Sequence, residues 1–437
     1  MSGRGSRDSQ PPTSTPRPAL ALWRRRIAAG ALVVSAILLG RLAFFRLGDA
    51  VPKLLRGGPA VADGPDDLLH RHIEIHAWFA GQPVYGQVGR ATYPPAAYPV
   101  LWPFAGWLDL KDSRILWAAT SIAALAVLGW IGVRQGHARG PPQAAVIALF
   151  LAATSPVAVT IAVGQLSIHL LLAAVGGVLL LGRGAGPSNG TSDVPPRLST
   201  DLAAAILIAV ALIKPNSAVP FLLVAGAVAR RLRPVVLIGA IYLFFTLVAD
   251  AFQSADIGTL MSQWLEMIRR RVHYGWGRAN LHLWLDAVPL RQWRMPASLL
   301  ALVALGVWTW RNRRADLWVL MGVAAIVTRL WAHHRFYDDV LLWIPAVALL
   351  RFVNRPPDGL LGATFRLLLL GLLAGPLLLP YEFYGKRGTE APVLEWAQVV
   401  TWIVVMGYLA WQGPKWVGGE TAAAKGNPPA TPHPSRR

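Results

Sequence analysis

Residues 331–343, WAHHRFYDDVLLW, gather two histidines, an arginine, a tyrosine and two aspartates in a chain that is 54% hydrophobic. Polar side chains cost free energy where water is scarce, so a cluster of them needs a use. His334 and Asp338 stand four residues apart, a spacing that puts two metal ligands on one helix face. Two ligands are too few to define a metal site, and no metal or other cofactor is expected. A better-supported chemistry uses charge. Arg329, His333, His334, Arg335 and the distant Lys214 form a cationic set beside a carboxylate. That combination suits a departing phosphate with a proton acceptor close by. Asp338 and Asp339 also open an apolar run, where helix capping is the ordinary task of a carboxylate.

Further polar motifs interrupt the apolar sequence. Asp66 and Asp67 precede a helical stretch in GPDDLLHRHIEIHAWFAGQPVYGQ (64–87). They can cap that helix, or one of them can act as a general base at a membrane surface. TYPPAAYP (92–99) reads as a rigid interfacial turn that carries Tyr93. VGQLSIH (163–169) places Gln165 in a tight turn between two apolar runs, and ALIKPNSA (211–218) places Lys214 at the end of another. SQWLEMIRRRVHYGWGRANLHLW (262–284) reads as an amphipathic surface helix followed by Asn280, with Trp264, Leu265 and Ile268 on its apolar side and Arg269–Arg271 opposite.

The elements that must position these residues are membrane helices. Apolar runs of bilayer-spanning length recur over nearly the whole chain of 437 residues, and the expected fold is an all-α polytopic membrane protein of about twelve spans. The formal charge of +20 does not imply nucleic acid, because the arginines fall mostly in short loops between apolar runs. The absence of cysteine excludes disulfides and thiolate chemistry. Residues 1–23 and 413–437, rich in Pro, Gly, Ser, Thr and Arg, are expected to be disordered cytoplasmic tails around a single transmembrane domain, 24–412. The run 93–108 carries four prolines and reads as non-crossing. With that choice the arginine clusters fall on the cytoplasmic side. The loops 47–114 and 253–296, Gln165, Lys214 and HHRFYDD then fall together on the extracytoplasmic side.

In chain order there is an acidic residue fourteen positions before GQPVY, then YPP, then GQ opening a span and KP closing one. An asparagine in a long outer loop (RANLHLW) and a His/Asp cluster opening a late span follow. This succession, spread over about 27–411, resembles glycosyltransferase family 87, the polyprenyl-phosphate-mannose-dependent α-mannosyltransferases of the GT-C superfamily. The resemblance implies a GT-C-like bundle in the plasma membrane with its site in the extracytoplasmic loops. It implies a catalytic aspartate at Asp67, with Asp66 one position away. Lys214, His333 and His334 match polar positions near the donor phosphate, with Arg329 and Arg335 beside them. Tyr93, Gln165, Asn280 and Asp338 fall where substrate would be positioned. Ser167 departs from the family's common Gln-x-Asn. The implied partners are a polyprenyl-phosphate sugar donor, a lipid or glycan acceptor and the bilayer. The implied reaction is inverting transfer of a hexose, mannose by resemblance. A lipid or sugar transporter is the competing class, but the carboxylates Asp201, Asp250, Asp316 and Glu395 fall near the ends of spans rather than at mid-membrane, where coupling groups are expected.

Overall fold

The computed structural model describes residues 18–57, 66–88, 91–183, 197–271, 280–282, 285, 288, 290–354, 360–384 and 392–413. Among these residues the chain is helical and without β-strands. In order the helices are α1 (Pro18–Arg56), α2 (Asp67–Phe79), α3 (Ala97–Ala105), α4 (Leu110–Gln135), α5 (Pro141–Ala152), α6 (Ser155–Val163), α7 (Ser167–Arg183) and α8 (Leu198–Ala211). They continue as α9 (Pro215–Ala229), α10 (Leu232–Asp250), α11 (Ile257–Arg271), α12 (Arg294–Arg311), α13 (Leu317–Trp331), α14 (Trp343–Val353), α15 (Leu360–Ala374) and α16 (Pro392–Gln412). A 3₁₀ turn, Phe336–Leu342, feeds directly into α14. The stretches 1–17 and 414–437 lie outside the described residues, and α1 reaches back to Pro18, into the segment expected as tail.

By length and hydropathy four described helices qualify as bilayer spans: Arg26–Arg56 of α1, α4, α10 and Leu361–Leu378. α5 and α6 make a fifth if taken as one span bent by 44°. α7, α8, α9 and α13 are apolar but fall short of a full span. At about 1.5 Å per residue, helices of this size reach only about 21–26 Å, against a hydrocarbon core of about 30 Å. The expected count of about twelve is not reached by this measure. Breaks at Gly164–Gln165 and at Lys214–Pro215 cut the apolar sequence into shorter helices. α3 has nine residues, about 14 Å by the same rise, too short to cross. The span within α1 is only 6% buried, so its apolar surface faces outward as a lipid-facing helix requires.

The interior is packed by α7 against α8, α1 against α5 and α6, α8 against α10, and α13 against both α9 and α14. At one end of the bundle, arginines meet carboxylates. Asp201 at the start of α8 pairs with Arg231 and Arg233. Asp316, which caps α13, pairs with Arg351 at 2.5 Å, and Arg351 also donates to the carbonyl of Gln135. The residues with chemical potential gather at the other end, where α7 begins, α8 ends, α9 begins, α13 ends and α14 begins.

α2 forms the wall of that end. Asp66 accepts from the amide of Leu69 at 2.9 Å and starts the helix. Leu68, Arg71, Ile75 and Trp78 then fall on one buried face at helical spacing. Trp78 stacks on Tyr98 at 4.1 Å and donates from its indole to the carbonyl of Ala249, fixing α2 to α3 and α10. The amphipathic α11 docks through Leu260, Trp264 and Met267, not through Leu265, which is 47% exposed. The Trp264 indole donates to the carbonyl of Thr92, next to Tyr93.

Gly164 closes α6 with φ at +70°, a left-handed conformation that glycine adopts without strain. A Cβ there would collide with the Cβ of Leu68 on α2. The missing side chain is what lets the α6–α7 corner rest against the first turn of α2. Gly164→Ala is expected to cost more than the about 1 kcal/mol of left-handed strain alone, because overpacking adds to it. Thermal unfolding in detergent should show a lowered midpoint as the α6–α7 corner is forced off α2.

Candidate active site

The corner at Gly164 delivers Gln165 to two partners. Its amide nitrogen donates to Asp67 Oδ2 at 2.7 Å and to the phenolic oxygen of Tyr337 at 3.0 Å. Its carbonyl oxygen accepts from the amide of Leu166 at 3.1 Å and from the Tyr93 hydroxyl at 3.4 Å. Both ends of the side chain are therefore engaged, which fixes the amide's orientation. Asp67 is half-buried and opens the helix one position after the capping Asp66. Asp66 spends one oxygen on the helix N-terminus and pairs the other with Arg114. Of the two adjacent carboxylates, only Asp67 belongs to the cluster.

The second half of the cluster is built on Asp338, in the 3₁₀ turn before α14. Its Oδ1 accepts from Lys214 Nζ at 2.5 Å and from the Ser167 hydroxyl at 2.7 Å. Its Oδ2 accepts from His334 Nδ1 at 3.1 Å and from the backbone amide of Arg335 at 3.4 Å. Burial of the Asp338 carboxyl works against its ionisation, but Lys214 and His334 outweigh that and hold it well below the usual carboxylate range. Asp338 is an organiser with both oxygens occupied, not a free base. Lys214 stands where α8 has ended and Pro215 starts α9, and its ammonium lies 5.1 Å from the centre of the Tyr337 ring. Tyr337 thus touches both halves, Gln165 through its hydroxyl and Lys214 through its face.

The other expected residues are placed differently. Arg329 is buried and donates to Asp339 at 2.5 Å, with its guanidinium over Trp402. Its charge is answered inside the bundle by Asp339. His333 is half-buried, and its carbonyl accepts from Asn216 at 3.0 Å. Arg335 is half-buried and acts electrostatically on Tyr337. Asn280 is buried beside His282, which bonds Ser298, and Ser298 in turn donates to the carbonyl of Trp331, two residues before His333. Among the described residues no group of three or more His, Asp or Glu is placed to hold a metal ion. Ser167 and Tyr337 were not singled out from sequence. Ser167 stood out there only as a departure from a motif, and Tyr337 was one letter in a cluster read for its charges.

Burial drives both histidines down, His333 and His334 each to about 4. At neutral pH neither is a cation, so the charges that can face an anionic group in this cluster are those of Lys214 and Arg335. The neutral His334 ring donates from Nδ1 to the Asp338 carboxylate and keeps its lone pair on Nε2. In the unfolded chain both rings titrate near an ordinary value of about 6.5. Between the two values the unfolded chain binds more protons, so stability is full above pH 6.5 and is lost as pH falls towards 4. The unfolding midpoint should drop across that window. In His334→Gln the drop should be shallower, even though that variant starts lower at pH 7.

The model of glycosyltransferase family 87 matches residues 91–334, more than half of the chain. The matched segment contains Tyr93, Gln165, Lys214, Asn280, Arg329, His333 and His334, while Asp67 and Asp338 lie outside it. No curated protein and no solved structure matches the chain significantly. An all-helical apolar chain with a polar cluster at one end of its bundle accords with that match: the chain belongs to glycosyltransferase family 87 and is a membrane glycosyltransferase.

Proposed function

We propose that the protein transfers a hexose, mannose by family resemblance, from a polyprenyl-phosphate donor to a lipid or glycan hydroxyl at the extracytoplasmic face of the plasma membrane. The observation that carries this reading is the continuous connection Asp67–Gln165–Tyr337–Lys214, with a half-buried carboxylate at one end and an ammonium at the other. The reaction is a single displacement. An acceptor hydroxyl gives its proton to Asp67 as its oxygen forms a bond to the anomeric carbon. The bond from that carbon to the phosphate oxygen breaks, and polyprenyl phosphate leaves with the electron pair. Inversion at the anomeric carbon follows from attack opposite the leaving group.

The chain's residues divide the work by their chemistry. Lys214 can meet the charge that grows on the leaving phosphate, and it does so by loosening from Asp338, which keeps hydrogen bonds to Ser167 and His334. Gln165 presents the Asp67 carboxylate in one orientation, because its own amide is fixed at both ends. Tyr93 and Tyr337 hold the two ends of the Gln165 amide between Asp67 and Lys214. A lipid-linked donor also accounts for a membrane fold, since its chain stays in hydrocarbon while the sugar reaches the surface.

Asp67→Asn keeps the shape and removes the proton acceptor. General-base catalysis is worth about 10²–10⁴-fold. The variant should lose transfer by a factor in that range while binding donor normally. The assay uses purified protein, radiolabelled polyprenyl-phospho-mannose and a native membrane lipid extract as acceptor source. Labelled lipid from the parent protein identifies both the class and the acceptor. Full activity in Asp67→Asn would remove Asp67 as the base.

A further inference from the structure

The first two turns of α2 carry three charged side chains on one face: Asp67, Arg71 four residues later and Glu74 three beyond that. An aspartate followed by an arginine at the fourth position forms an ion pair by default on a helix surface. Here the guanidinium goes elsewhere. Arg71 pairs with Glu74 at 2.5 Å, and Asp67 accepts instead from Gln165. Glu74 is wholly buried, at 0% exposure, and Arg71 is 7% exposed. A buried pair of this kind is a poor stabiliser, because desolvation of two ions consumes most of what their attraction returns. Its place calls for another explanation.

The neighbours of Arg71 supply one. Its guanidinium lies 4.7 Å from the centre of the Tyr93 ring. The Tyr93 hydroxyl reaches Gln165, whose amide holds Asp67, and the Tyr93 carbonyl is fixed by the Tyr85 hydroxyl at 2.8 Å. Arg71 also acts electrostatically on Asp67 itself. A cation one helical turn from a carboxylate, lying over the ring whose hydroxyl bonds the same Gln165, needs only a rotamer change to reach it.

We propose that Glu74 is a positioning residue that holds the Arg71 guanidinium away from Asp67, so that the carboxylate stays open to the acceptor hydroxyl. This rests on Asp67 being the base of the proposed reaction. Without the Glu74 charge, Arg71 turns back along α2 and captures Asp67 in a direct ion pair. The base is then blocked by its own helix.

The test is a set of variants assayed for kcat and donor KM with radiolabelled polyprenyl-phospho-mannose, with unfolding midpoints measured in parallel. Glu74→Gln should lower kcat at least tenfold with donor KM within about twofold, because the donor phosphate site is untouched. Glu74→Asp keeps a charge in the pocket but retracts it, and should fall in between. Adding Arg71→Met to Glu74→Gln removes the capturing group and should restore kcat to within a few-fold of the parent. Because a purely structural pair would also be relieved by the second change, kcat is compared well below both unfolding midpoints. There a structural role predicts no kcat loss in the folded Glu74→Gln protein, and capture of Asp67 predicts the full loss. Wild-type kcat in Glu74→Gln, or a double variant as slow as Glu74→Gln alone, overturns the proposal. Asp67→Asn, run alongside, separates the two claims. If it is inactive while Glu74→Gln is unimpaired, the base stands and only the role of Glu74 falls. If Asp67→Asn is fully active, the base assignment fails, and the role of Glu74 with it.

Discussion

One side-chain amide joins the two halves of this site. Gln165 donates one proton to Asp67 on α2 and the other to Tyr337, one residue before Asp338. Remove that bridge and the carboxylate on α2 has no fixed relation to the Lys214 cation. The bridge depends in turn on a void. Gly164 has no Cβ to strike Leu68, so the α6–α7 corner can rest against α2. Packing between two helices thereby sets the geometry between two charges, Asp67 and Lys214, 147 residues apart in sequence.

The polar cluster survives in an apolar bundle because most of its polar atoms pair with one another, His334 Nε2 and one Arg329 nitrogen being left without a hydrogen bond. Asp338 accepts four hydrogen bonds, from Lys214, Ser167, His334 and the amide of Arg335. Arg329 and Asp339 answer each other one layer further in. Such networks cost little when complete and a great deal when broken. The design has a chemical consequence. A lysine held by an internal carboxylate is preorganised for an incoming anion and needs no free charge left standing in the absence of substrate.

The sequence made some of this legible and hid the rest for identifiable reasons. The helical, membrane-embedded class followed from apolar run lengths, but the number of full spans did not. The turns at Gly164–Gln165 and Lys214–Pro215 are legible as letters. The helices α7, α8 and α9 that they bound have only 14–17 residues, short of a full span, and hydropathy does not show where each helix starts and stops. Asp66 and Asp67 are indistinguishable as letters. They part only because the first caps α2 and pairs with Arg114 while the second faces Gln165. Arg329 reads from the sequence as a cation at the end of its helix and Asp339 as a cap, and only the fold shows that the two pair. His333 and His334 were counted as cations, and only their burial shows that they are neutral at pH 7. Leu265 fits an apolar stripe on paper and faces outward in the fold.

The central claim is spatial: a donor phosphate at Lys214 and a sugar carbon between it and Asp67. A cryo-electron-microscopy structure of the full chain with an intact polyprenyl-phosphate sugar tests it most directly. The account predicts the phosphate against the Lys214 ammonium, with the anomeric carbon facing Asp67 across a gap that one hydroxyl fills, reacting atoms about 3–3.5 Å apart. A phosphate bound beside Arg114 and Asp66, or at the opposite end of the bundle near Asp201, would contradict it.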